Sequence, residues 1–226
     1  MLQSPALAAN GPESWIWWEW VGGHTDDIAA AAREHVELTA IAVGIGLLIS
    51  LPLALVSFRW RRLYSPLLGV TGALYTIPSL ALFAMLIPLT GLSRTTAEIG
   101  LVSYTLLILV RNIVTGLDGV PGDVREAARG MGFGPLRQLV RVELPLAFPA
   151  IMAGVRIATV TTIGLVTVTA LIGLGGLGKL ILVGLTRDFR TEIVVGTVLS
   201  VALAVVADAL LLGVQRVVTP WTRART

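Results

Sequence analysis

The chain has 226 residues, of which 55% are hydrophobic and only 14% are charged, and its mean hydropathy is +0.83. This composition favours an integral membrane protein over a soluble enzyme of the same size. The absence of cysteine excludes disulfides, thiolate metal sites and cysteine nucleophiles, and neither a metal site nor a catalytic residue is predicted. The net charge of +3 is spread over loops without interleaved aromatic residues, so it does not indicate nucleic-acid binding.

The N-terminal segment, residues 1–35, is expected to be external or interfacial. It lacks the basic start and the apolar centre of a signal peptide. Four of the six tryptophans occur in WIWWEW at 15–20. Because indole rings concentrate at the headgroup boundary, this stretch predicts a short helix on the outer membrane surface. The alternative is an aromatic cage that binds a cationic substrate.

About five transmembrane helices are expected between residues 36 and 217, followed by an inner tail at 218–226. Five apolar stretches with at most one charge each are long enough to cross a bilayer: Leu38–Phe58, Leu63–Ser93, Ile99–Leu117, Leu144–Gly178 and Ile193–Gln215. The second stretch contains three prolines, so it is either one tilted or kinked helix or two shorter pieces. With the N-terminus outside, twice as many Lys and Arg residues flank the inner span ends as the outer ones, which favours that orientation.

The polar loop at 118–146 is the only predicted inner loop long enough to fold. Asp123 and Glu126 have the spacing of a helix-capping pair, and Gly132 suits the left-handed end of that first helix. Gly134-Pro135 then predicts a second helix that ends at Pro145. Its apolar face consists of Leu136, Leu139, Val140 and Leu144.

The same loop carries a spaced motif. Glu126-Ala127-Ala128, Gly132 and Val142-Glu143-Leu144-Pro145 resemble the EAA loop of ABC-importer permeases, E-A-A-x(3)-G-x(9)-I-x-L-P, with Val142 in place of the usual Ile. Taken singly, Glu126 is a capping residue and the alanines are good helix formers, but the joint spacing on an inner loop favours the family. The resemblance implies an all-α polytopic type I importer permease whose first loop helix is a coupling helix lying in a groove of the ATPase. The residues implied in ATPase coupling are Glu126, Ala127, Ala128, Gly132, Leu144 and Pro145.

The resemblance continues outside the loop. Segments 75–91, 109–120, 142–158 and 170–181 are similar to permeases that import glycine betaine, choline, carnitine or proline betaine. Methionine importer permeases share the five-span plan and remain an alternative, as does a self-contained secondary transporter. The implied partners are an ABC ATPase dimer, a second permease that is identical or paralogous, an external solute-binding protein and membrane lipid, in a bacterial cytoplasmic membrane.

The stretch GLGGLGKL at 173–180 matches two nucleotide-binding patterns in part. We interpret both matches as false, because a phosphate loop needs a preceding strand and a hydroxyl where Leu180 stands. The chain itself is therefore expected to need no cofactor, with ATP bound by the partner ATPase. Four glycines in six residues instead predict a break in the fourth span, which is either a gate element or a plain loop. The candidate gate or pathway residues are Tyr75, Pro78, Gly173, Gly175, Gly176 and Gly178.

Three charged residues lie inside otherwise apolar stretches: Arg111, Arg156 and Asp208. A helical rise of about 1.5 Å per residue puts all three at a similar depth in the inner half of the bilayer. An arginine at that depth can snorkel to the headgroups, whereas an aspartate is too short to do so. Asp208 is therefore expected to pair with Arg111 or Arg156, or to face a water-filled cavity.

Overall fold

Residues 15–221 are described by a computed structural model, and over that range the chain is helical and contains no strand. The α-helices of this range are α1 (Trp18–Gly23), α2 (Thr25–Arg59), α3 (Tyr64–Thr76), α4 (Ser79–Thr90), α5 (Arg94–Asp118), α6 (Gly122–Gly130), α7 (Pro135–Gln138), α8 (Leu144–Val168), α9 (Leu177–Arg187) and α10 (Arg190–Val218). Two 3₁₀ segments, Arg61–Leu63 and Thr169–Ile172, precede α3 and follow α8, and a π-helical segment, Leu139–Glu143, joins α7 to α8.

The expected number of membrane spans is confirmed. Four helical stretches in the described residues are long and apolar enough to cross a membrane: Thr25–Arg59, Arg94–Asp118, Pro135–Ile172 and Arg190–Val218. A fifth arises if the bent pair Arg61–Thr76 and Ser79–Thr90 counts as one span. The chain bends by 95° within this pair, so the long second apolar stretch is two helices. The break falls at Ile77 and Pro78, where Pro78 has the extended backbone angles φ −55° and ψ 132°.

The described residues group into two compact units. The first contains residues 15–42, 77–101 and 160–206, and the second contains residues 43–76, 102–159 and 207–221. The long helices α2, α5, α8 and α10 contribute residues to both.

The core of the second unit lies along α5. Its helically spaced apolar residues are fully buried: Leu109, Val110, Ile113, Val114 and Leu117. Two glycines let α5 and α8 approach closely, because a Cβ on Gly116 would lie 2.9 Å from the Ala147 carbonyl oxygen and one on Gly154 would lie 2.5 Å from Asn112 Cβ. This packing fixes both ends of the 118–146 loop.

The N-terminal aromatic segment belongs to the first unit. Trp15 and Trp18 are 70% and 71% exposed, whereas Trp20 stacks on His24 with ring centroids 4.3 Å apart and meets Phe189 edge-on at 5.3 Å. The segment forms the short α1, and its position at a membrane surface stays a prediction. The following helix begins at Thr25, well before the apolar stretch that starts at Leu38.

Candidate functional site

The first loop helix, α6, begins earlier than the capping pattern predicts. Its first residue is Gly122 and no side chain caps it, because the N-cap residue is Pro121, whose side chain has no hydrogen-bond acceptor. The Asp123 carboxylate accepts a hydrogen bond from the adjacent Val124 N–H at 2.9 Å, inside the helix rather than ahead of it. The predicted capping pair of Asp123 and Glu126 is therefore wrong, and the Glu126 side chain is left exposed.

The end of α6 follows the prediction for Gly132, whose φ is +80°. The Phe133 N–H donates to the Ala128 carbonyl at 3.0 Å, and the Gly132 N–H donates to the Arg129 carbonyl at 2.9 Å. These are the bonds of a glycine-terminated helix end, and they reverse the chain within a few residues. A Cβ on Gly132 would meet nothing within 4 Å, so only backbone conformation requires glycine there.

The two alanines of α6 have opposite environments. Ala128 is 1% exposed and faces the protein, whereas Ala127 and Glu126 are exposed. The helix therefore presents the small Ala127 and the carboxylates of Asp123 and Glu126 to the outside. Such a surface allows a partner to approach the helix closely.

The second loop helix differs from the sequence prediction at its end. Pro135 begins α7 as expected, but the helix continues through the π segment into α8 and does not stop at Pro145. Pro145 is the second residue of α8, where helical bonding restarts after the π segment and a missing N–H is tolerated. The predicted apolar face is only partly buried, since Leu136 and Val140 are 73% and 54% exposed. Leu144 and Pro145 are half-buried.

Behind the exposed face of α6, Arg125 contacts several elements at once. Its Nη2 donates a 2.5 Å hydrogen bond to the Leu117 carbonyl at the end of α5. Its Nε lies 3.2 Å from Glu143 Oε1 as an ion pair without an aligned hydrogen bond, and its guanidinium lies 5.5 Å from the ring centroid of Phe58 on α2. Glu143 is 7% exposed and also accepts a 2.8 Å hydrogen bond from Gln138 Nε2.

A second arginine contacts the same aromatic ring. The Arg61 guanidinium lies 5.1 Å from the centroid of the Phe58 ring and binds the Asp118 carboxylate at the end of α5 through both terminal nitrogens, one of them at 3.0 Å. Arg61 and Asp118 are exposed, so screening by solvent makes their ion pair weak on its own.

The predicted gate glycines form a tight turn in the first unit, between the Thr169–Ile172 segment and α9. Gly173, Gly175 and Gly176 have φ values of +85°, +120° and +45°. A Cβ on Gly175 would lie 2.4 Å from the Ala170 nitrogen, and one on Gly178 would lie 2.3 Å from the Thr167 carbonyl oxygen. The glycines thus let the start of α9 pack directly on the end of α8.

The same turn contacts α2. A Cβ on Gly176 would lie 2.5 Å from the Ala31 carbonyl oxygen, and the Gly176 N–H donates a 3.3 Å hydrogen bond to Glu34 Oε2. Beside it, buried His35 forms a 3.0 Å hydrogen bond between Nε2 and the Ile163 carbonyl. A helix and a 3₁₀ segment precede this turn where a phosphate loop has a strand.

Of the other predicted pathway residues, Tyr75 lies at the end of α3 and is 37% exposed. Its ring meets that of buried Tyr104 edge-on, with centroids 5.8 Å apart. Pro78 is exposed at the break that precedes α4.

The structure brings two of the three intramembrane charges together. Arg156 on α8 binds Asp208 on α10 through Nε to Oδ1 at 2.8 Å and Nη2 to Oδ2 at 2.7 Å. Arg111 on α5 is exposed and makes no side-chain hydrogen bond or ion pair with the described residues. The side chains of Arg156 and Asp208 are 25% and 37% exposed.

Residues 42–224 match the protein family described as the binding-protein-dependent transport system inner membrane component. The chain belongs to this family. It is 39% identical over 198 residues to the osmoprotectant import permease protein OsmW of Salmonella typhimurium, covering 85% of this chain and 92% of that protein. It is 39% identical over 187 residues to the choline transport system permease protein OpuBB of Bacillus subtilis, covering 83% and 86%. The carnitine transport permease protein OpuCD of Listeria monocytogenes is 34% identical, with coverage of 82% and 84%.

The fold of this family member is that of an ABC-importer permease. A chain of the inward-facing MetNI methionine ABC transporter superposes with a TM-score of 0.75 at 22% identity, over 85% of this chain and 96% of that one. A chain of an amino acid ABC transporter with histidines superposes with a TM-score of 0.72 at 18% identity, over 89% and 98%. The family consists of transport permeases and not of enzymes.

Sequence reasoning missed the contacts of Arg125, Phe58 and Glu143. Arg125 directly precedes the EAA triplet, and Glu143 stands at the variable position of V-x-L-P. A charged residue between the apolar residues Val142 and Leu144 was the available signal.

Proposed function

We propose that this chain is the membrane permease subunit of an ABC importer for a quaternary-amine osmoprotectant, such as glycine betaine, choline, carnitine or proline betaine. The observation that carries the solute class is the similarity to osmoprotectant and choline permeases at 39% identity over 86% or more of their own length. The chain catalyses no reaction. It provides part of a route across the bilayer.

The EAA loop is the proposed attachment point of the ATPase. An exposed α6 that carries Glu126 and Ala127, and a sharp reversal at Gly132, support this role. Two permease subunits, identical or paralogous, form the route, and an ATPase dimer binds one α6 from each. ATP is bound by the ATPase, so the permease needs no cofactor, and an external binding protein delivers the solute.

In the proposed topology the N-terminus lies outside and the C-terminus inside a bacterial cytoplasmic membrane. The arginines around the loop, including Arg59, Arg61, Arg62 and Arg129, then lie on the inner side, as the distribution of positive charges favours. The glycine turn at 173–178 then lies near the outer surface, where we propose that it forms part of the outer gate. Tyr75 and Pro78, at the break between α3 and α4, are the proposed pathway residues.

Uptake by the reconstituted importer tests this function. The permease is placed in proteoliposomes with its cognate ATPase and binding protein, and radiolabelled glycine betaine, choline, carnitine and methionine are compared. We expect uptake of at least one quaternary amine that requires internal ATP and the binding protein. Uptake of methionine alone would favour the methionine-importer alternative, and uptake without the ATPase would favour a secondary transporter.

A further inference from the structure

One arginine of the coupling helix α6 reaches an aromatic ring at the end of α2. A cavity of ≈ 580 Å³ opens between the end of α2 and the 118–146 loop, and its walls include Phe58, Arg59, Arg129, Phe133 and Leu139. Beside this space the Arg125 guanidinium lies 5.5 Å from the centroid of the Phe58 ring. A displacement of α6 can therefore reach the end of α2 through the Arg125 side chain.

Arg125 links α6 to three other segments through three different interactions. It donates to the Leu117 carbonyl of α5, it pairs with Glu143 of the π segment, and it lies over the Phe58 ring of α2. The planar guanidinium makes this possible, because its donors and its flat face act in different directions. A lysine ammonium at the same position could not serve all three partners.

The partners of Arg125 are themselves held in place. Glu143 is buried and receives a second hydrogen bond from Gln138, which lies five residues earlier and reaches it across the π segment. π-helical turns commonly occur at functional sites. The Phe58 ring contacts the guanidinium groups of both Arg125 and Arg61, and Arg61 binds Asp118 at the end of α5.

We propose that Arg125 is a positioning residue that carries displacement of α6 to the ends of α2 and α5 and to the start of α8. This inference rests on the proposed function, in which the ATPase moves α6. Loss of Arg125 leaves α6 able to bind the ATPase through Glu126 and Ala127, but it disconnects that binding from the membrane helices. The buried Glu143 then also loses its cationic partner.

The test measures the ratio of ATPase activity with solute-loaded binding protein to the basal activity, per assembled complex in proteoliposomes. For Arg125→Gln we expect this ratio to fall about fivefold or more, which is the size of effect expected when two sites lose their coupling. The ATPase should still copurify with the variant permease. The binding-protein concentration for half-maximal stimulation should stay unchanged. Arg125→Lys should be intermediate, and combining Arg125→Gln with Glu143→Gln should restore complex stability in part.

Arg62→Gln is the matched control. It removes one positive charge from the same region, and Arg62 makes no side-chain hydrogen bond or ion pair with the described residues. The inference is overturned if Arg125→Gln assembles and keeps the full ratio, or if Arg62→Gln lowers the ratio equally. If Arg125→Gln does not assemble, full stimulation in Arg125→Lys overturns it. A wild-type complex that its binding protein does not stimulate would count against the proposed function itself.

Discussion

Arg156 and Asp208 form a two-point ion pair that joins α8 to α10, with N–O distances of 2.8 and 2.7 Å. Both residues lie within helices that are apolar enough to span a membrane. A parallel pair of charge-assisted hydrogen bonds fixes the orientation as well as the distance of the two side chains. Either charge alone, at that depth, would need water or another partner.

Removal of either partner should therefore destabilise the protein, and removal of both should cost less than the two single losses added together. We expect Arg156→Gln and Asp208→Asn each to lower the melting temperature in detergent. The double variant should lower it by less than the two single decreases added together. Arg111→Gln combined with Asp208→Asn is the control and should be additive, because Arg111 does not contact Asp208. Additivity in both doubles would contradict a stabilising interaction between Arg156 and Asp208.

Gly132 should be intolerant of substitution for a conformational reason alone. Its φ is +80°, and added atoms would meet nothing within 4 Å. Gly132→Ala should cost about 1–2 kcal/mol in local backbone strain and should reduce uptake by misplacing α6. Gly134→Ala is the matched control, since Gly134 has a φ of −68° and equally open surroundings. Equal uptake by the two variants would show that the left-handed turn is not required.

Gly178 should be intolerant for a steric reason. A Cβ there would lie 2.3 Å from the Thr167 carbonyl oxygen, a backbone atom that cannot move aside without shifting α8. We expect Gly178→Ala to reduce the yield of folded protein in the membrane, measured by size-exclusion chromatography in detergent. Gly164→Ala should behave like the unmodified chain, because a Cβ at Gly164 meets nothing within 4 Å. Normal yield from both variants would contradict the close packing of α9 on α8.

The membrane spans were predictable because an apolar run of about 20 residues with at most one charge is typical of a transmembrane helix. The ends of α5 at Arg94 and Asp118 lie close to the predicted limits of Ile99 and Leu117. The break in the second run was only half predictable. Three prolines offered places for it, yet Pro88 lies inside α4 whereas Pro78 directly precedes that helix, and the sequence alone does not distinguish the two.

The loop contacts were harder to predict, because they join residues far apart in the chain. Phe58 and Arg125 are separated by α3, α4 and α5, and no local pattern records their contact. The capping prediction at Asp123 failed because Pro121 fixes the backbone ahead of the helix and starts it earlier. The choice between Arg111 and Arg156 as the partner of Asp208 was open for a similar reason. Equal depth gives no information on which helices are neighbours.

Lys179 should have no role in nucleotide binding, although it follows the glycines as in a phosphate loop. It is an exposed residue of α9, and the preceding segment is helical. We expect Lys179→Ala to leave the ATP affinity of the assembled transporter unchanged, measured with a fluorescent nucleotide analogue. A loss of affinity would assign these glycines to the nucleotide site after all.

The attachment of the ATPase to α6 can be tested directly by cross-linking, because the chain has no cysteine of its own. A photoreactive maleimide is placed on single-cysteine variants of the assembled complex. Ala127→Cys is on the exposed side of α6, Ala128→Cys is on its buried side, and Thr186→Cys is exposed on α9. We expect a covalent adduct with the ATPase from position 127 and none from 128 or 186. An adduct from position 186, with none from 127 in an intact complex, would contradict it.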